Sequence, residues 1–163
     1  MLKHNLRDRL PTGPTPMPKH LPADHGRTFH LFGGDVVTIK VTGKETDGAY
    51  TMMETVTPPG MGPPAHVHHR EEETFCIVKG ELEFIIREKT IRPKPGDILI
   101  APIDVPHVFR NVGTTPAKVM IVCRPAGFEH FVEEFAQVPP DGPPDFPRMA
   151  AIAARHGIEF VAP

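Results

Sequence analysis

The sequence predicts an all-β domain, an antiparallel barrel or sandwich, on three observations. Seven short runs rich in β-branched residues, DVVTIKV, AYTMMETV, TFCIVK, ELEFIIR, DILIA, VFRN and AKVMIVCR, succeed one another between residues 35 and 124. No helical periodicity separates them, and crossover helices are what a parallel sheet would need. The runs are punctuated by turn formers, of which the chain has 14 glycines and 21 prolines. Its 163 residues are one domain's length, enough to bury a core without disulfide staples.

Taken in order, residues 1–26 carry Pro11, Pro14, Pro16, Pro18 and Pro22, which break helices and cannot donate to a ladder. They predict an extended arm. Residues 27–127 hold the barrel. Residues 128–163 form a tail with two short helices that pack on it. In the first, Phe128, Phe131, Val132 and Phe135 recur at i, i+3, i+4 and i+7, an apolar stripe. In the second, RMAAIAARHG follows Pro147 near its start and ends at Gly157, a C-terminal cap. Both helices read as structural.

Charge and cysteine usage exclude several classes. Eighteen Lys and Arg against 20 Asp and Glu give −2 with histidine neutral, too weak a field for nucleic acid or an anionic membrane. No apolar run approaches the ~20 residues of a spanning helix. The N-terminus has no signal-like apolar core, so a soluble cytoplasmic protein is expected. Cys76 and Cys123 are too far apart for a zinc knuckle or a redox pair and are expected to be reduced.

Ten histidines in a chain without tryptophan point toward metal. In PGMGPPAHVHHREEETFCIVKG, His66 and His68 lie two apart and share one face of a strand. Glu73 returns beside them from the neighbouring segment as a third ligand. His107, opening a strand after a proline-rich turn, offers a fourth. Imidazoles and a carboxylate suit divalent first-row metals. Strand parity then places Phe75 and Ile77 on the face of Glu73, Phe109 on that of His107, and Phe84 and Ile86 on an apolar face of their own strand. These five are the expected pocket walls. Glu71 and Glu72 read as solvated turn charges.

The spacing resembles that of the cupins. The first cupin motif is glycine, five residues, His-x-His, three or four residues, Glu, six residues, glycine, and Gly60, His66, His68, Glu73 and Gly80 meet every interval. The second is met by Gly96, Pro102, His107 and Asn111, with Asp104 where the family usually has glycine. The resemblance spans Gly60 to Asn111. It implies a jelly-roll β-barrel holding one metal ion through His66, His68, Glu73 and His107, with iron, manganese, nickel, cobalt, copper and zinc all permitted.

The layout with its helical tail also resembles the small single-domain cupins grouped with quercetin dioxygenases. That implies a dioxygenase acting on a small aromatic or enolic molecule, with Glu73 as the catalytic base. The cupin fold equally hosts non-redox isomerases, epimerases and lyases, and binders without turnover. Cupins often pair through barrel edges, which implies a homodimer.

Overall fold

A computed structural model describes residues 19–139 and 143–162. Most of the expected arm, residues 1–18, lies outside the described residues. The strands are β1 (Arg27–His30), β2 (Val36–Val41), β3 (Thr51–Thr57), β4 (His66–His68), β5 (Glu72–Lys79) and β6 (Leu82–Ile86). They continue with β7 (Lys89–Ile91), β8 (Ile98–Ala101), β9 (His107–Asn111) and β10 (Ala117–Arg124). Two helices, α1 (Phe128–Phe135) and α2 (Phe146–Arg155), precede a last strand, β11 (Ile158–Phe160).

The strands form two sheets, ordered β1-β2-β3-β10-β5-β8 and β11-β4-β9-β6-β7, antiparallel at every pairing. This is the expected jelly roll, built as two sheets rather than as one closed barrel. Alternation explains the packing: Thr51, Met53, Thr55 and Thr57 of β3 face inward and are buried, with half-buried residues between them. Phe75 of β5 crosses the gap to Phe84 of β6, ring centroids 5.1 Å apart, and Phe109 of β9 stands 5.2 Å from Phe84. Each such buried ring contributes about 1.5–3 kcal/mol, and together they join one sheet to the other.

Turn chemistry fixes the register. Gly80 has φ +93°, and a Cβ there would meet the Cα of Ala117 at 2.5 Å. Asp104, in the position the motif usually gives to glycine, adopts φ +62°, a left-handed conformation that aspartate tolerates better than most residues. Its carboxylate accepts from His69 Nδ1 at 2.6 Å.

α1 buries Phe131, Val132 and Phe135. It is anchored by Glu129, which is itself buried and accepts from Gly43 N–H at 2.7 Å, from Gly127 N–H at 2.9 Å and from the Thr51 hydroxyl. α2 starts two residues before the alanine-rich run, because Asp145 caps it by accepting from Arg148 N–H at 3.1 Å. The tail does not stay helical. Gly157, at φ +74°, ends α2, and the alternating Ile158-Glu159-Phe160 pairs with β4 as β11. Among the described residues, no helix is long and apolar enough to cross a membrane.

Candidate metal centre

The facing sheets bring the four expected ligands together. β4 supplies His66 and His68, β9 supplies His107 directly opposite His66, and β5 of the other sheet supplies Glu73. One donor atom from each lies within 4.8 Å of all the others, and all four side chains are buried. Glu73 Oε2 is 2.7 Å from His107 Nε2, 3.2 Å from His68 Nε2 and 4.0 Å from His66 Nε2.

Backbone carbonyls set two of the rings. His66 Nδ1–H donates to Pro64 O at 2.8 Å and His107 Nδ1–H to Val105 O at 3.0 Å, which turns each Nε2 toward the common point; there His107 Nε2–H donates to Glu73 Oε2 at 2.7 Å, a proton that a bound metal would displace. His68 has no hydrogen-bond partner on either nitrogen. Its Nδ1 faces Glu71 Oε1 at 3.9 Å. Glu71 corrects the sequence expectation: it is not a solvated turn charge but 4% exposed. Parity accounts for it, since Glu71, Glu73, Phe75 and Ile77 are two apart and all point inward. Glu72, between them, is half-buried.

The electrostatics follow from this crowding. Burial alone would raise the Glu73 carboxyl, but neighbouring His68, the His107 hydrogen bond and His66 hold it down at about 2. Burial and the neighbouring His107 push His66 down to about 4, keeping that ring neutral. Cys123 is a free thiol, as is Cys76. Burial pushes the Cys123 thiol well up, so it stays protonated and donates to Glu73 Oε1 at 3.8 Å. Three buried imidazoles converging with a carboxylate, one ring lacking any partner, suit one divalent transition metal ion and are costly without it. The donor types do not select among the first-row metals.

A cavity of about 330 Å³ reaches His66, His68 and Glu73. Phe75 and Phe109 line it. Ile77, Phe84 and Ile86 do not: Phe84 and Ile77 are sealed in the core, and Ile86 packs against it from the side. The cavity extends toward the tail instead, where Phe128, Phe131, Phe135, Met149 and Phe160 wall it. The sequence shows that aromatic stripe, but parity within strands cannot reveal that α1 roofs the site. The Phe128 ring stands 5.1 Å from that of His68. Leu31 and Phe32, in the turn before β2, also line it, with Asp35 and Arg110.

Comparison with known proteins agrees with this geometry. The Cupin domain family matches residues 52–123. The chain is 33% identical to polyketide synthase CurC of Streptomyces cyaneus over 95 residues, 57% of this chain and 60% of that protein. It is 29% identical to quercetin 2,3-dioxygenase of Bacillus subtilis over 101 residues, 62% of this chain and 30% of that protein. It thus spans 60% and 30% of the length of these two relatives, less than two thirds of each. KdgF from Halomonas superposes with a TM-score of 0.62 at 17% identity, covering 69% of this chain and 99% of that one.

Proposed function

This chain is a member of the cupin superfamily, and on that footing we propose that it is a metal-dependent dioxygenase of a small aromatic or enolic molecule. The observation that carries the reading is that the ligand cluster opens into a cavity walled by aromatic and aliphatic side chains, fit for a flat apolar molecule. A divalent transition metal held by His66, His68, Glu73 and His107 supplies Lewis acidity to an enol or phenol oxygen and, where redox-active, a path for electrons to dioxygen.

The chain's own residues do the rest. The Pro64 and Val105 carbonyls orient the rings of His66 and His107 so that Nε2 of each faces the metal position. Glu73 accepts the substrate's hydroxyl proton at Oε2, the oxygen facing the imidazoles, while Oε1 rests against the Cys123 thiol. Phe75, Phe109 and Phe128 exclude water from the reacting carbon. Both atoms of dioxygen enter the organic product.

The test is oxygen uptake by metal-loaded protein with quercetin and related flavonols, with labelled dioxygen traced into product. Glu73→Gln is expected to retain much of the metal and lose uptake. Absence of uptake with every redox-active metal would remove the proposal. A second reading has its own support in the 33% identity to a protein named as a polyketide synthase, since polyketide chains carry enolisable carbonyls. In it, the metal acts only as a Lewis acid and turnover continues without oxygen.

The proposal includes a homodimer. β8 is a sheet edge whose Ile98 and Ile100 are 64% and 52% exposed, and pairing with a second copy covers such an edge. Ile98→Lys is expected to give a monomer by light scattering where the wild type is a dimer.

A further inference from the structure

The cavity wall formed by β2 and β3 holds polar chemistry that the ligand cluster does not use. Asp35 immediately precedes β2, lines the cavity and is 8% exposed. Its side chain shares the inward face with Val37 and Ile39, and its backbone carbonyl accepts from Leu31 N–H at 2.9 Å, closing the turn that carries Phe32. The pairing of Val36 with Val56 sets Asp35 beside Thr57 at the end of β3. Thr57 is completely buried.

Neither residue is satisfied. Asp35 Oδ1 and Thr57 Oγ1 are both buried without a hydrogen-bond partner. A carboxylate oxygen and a hydroxyl left without partners of hydrogen-bonding geometry are costly in a wall made chiefly of Leu31, Phe32, Val37, Met53 and Ile121. Ligand cavities, however, combine apolar walls with a few polar groups that the ligand completes. Among the described residues lining the cavity, Asp35 and Glu73 are the acidic ones, and Glu73 is occupied within the ligand cluster. Burial pushes the Asp35 carboxyl up to about 6, against the opposing influence of Thr57, so near neutral pH it is available as acceptor or donor.

We propose that Asp35, backed by Thr57, is the polar anchor of the cavity: it hydrogen-bonds a hydroxyl group of an otherwise apolar aromatic substrate and so sets which end of the molecule faces Glu73. The anchor rests on the reading of the cavity as a site for a small aromatic molecule. It requires neither oxygen nor turnover, so binding alone tests it.

The experiment compares 2-naphthol with naphthalene, titrated anaerobically into metal-loaded protein and followed by amide chemical shifts. Wild type is expected to bind 2-naphthol at least about tenfold tighter, the scale of one hydrogen bond to an acidic group. Asp35→Leu, which keeps the branched shape and removes the polarity, is expected to bring the two within about twofold while naphthalene binding holds. Asp35→Asn, which keeps a hydrogen-bonding group, is expected to retain most of the preference and serves as the folding control. A preference undiminished in Asp35→Leu overturns the anchor and leaves the aromatic-site reading standing. Equal binding of the two compounds by wild type also overturns the anchor alone. If neither compound binds wild type, both the anchor and the aromatic-site reading fall.

Discussion

Glu71 Oε1 lies 3.9 Å from Nδ1 of His68, on the opposite side of the ring from the nitrogen that faces Glu73. At that distance the pair is not a hydrogen bond, but a movement of less than 1 Å by either side chain makes it one. A carboxylate behind a ligating imidazole fixes the tautomer and raises the basicity of the ligand nitrogen. Glu71→Ala is therefore expected to weaken metal binding about 10–100-fold in competition with a chelator. The stability of the metal-free protein should not fall, because Glu71 Oε2 has no partner to lose. Unaltered affinity would show that the carboxylate is idle.

His107→Ala is expected to abolish metal retention, measured as metal per chain, without unfolding the protein. The core built on Phe75, Phe84 and Phe109 lies beneath the ligands and does not depend on the ion. Loss of the far-ultraviolet circular dichroism of the strands in this variant would contradict that independence.

Asp35 gives a pH signature with a definite sign. Its carboxyl titrates at about 6 in the folded protein against an ordinary 3.8, the causes being burial and, in opposition, the Thr57 hydroxyl; no charged side chain enters. A raised acid binds its proton more tightly when folded, so its cost is fully present above pH 6 and fades as pH falls toward 3.8. Asp35→Asn should therefore stabilise the metal-free protein by about 1–3 kcal/mol at pH 8 and by almost nothing at pH 4. Denaturant unfolding at the two pH values measures this. A gain of equal size at both would refute the assignment.

Glu129 serves three donors from separate places: Gly43 in the turn after β2, Thr51 at the start of β3 and Gly127 at the head of α1. Glu129→Ala strands these donors and is expected to cost about 2–4 kcal/mol in urea unfolding. Because α1 roofs the cavity, the same variant should also bind aromatic probes more weakly. A cost below about 1 kcal/mol would mean that water replaces the carboxylate.

Alternation with a period of two made the ligand faces legible, since His66 and His68, like Glu73 and Phe75, fall on predictable sides of their strands. Carried one step back from Glu73, the same rule would have placed Glu71 inside; the charged run HREEE masked it as a turn. Pocket walls were legible only where strand parity governs them, at Phe75 and Phe109. The helical roof depends on where α1 docks, and Asp35 on the register of β2 against β3. Those are long-range relationships that local periodicity does not encode. The tail's last strand was hidden for the same reason, because a three-residue strand exists only through its partner.

That strand has a consequence for the order in which the protein is made. β4, with two of the ligands, pairs with β9 through His66 and His107 and with β11 through Ile158, Glu159 and Phe160. A ribosome delivers residues N-terminal first, at about 5–20 per second. His66 and His68 emerge some 90 residues ahead of the strand that clamps them, the separation between His69 and Glu159. Through that interval the edge of β4 that β11 will cover has no partner strand, even after β9 has paired with its other edge. The segment gains its second neighbour only when β11 arrives, after β9 and the rest of its sheet have been delivered.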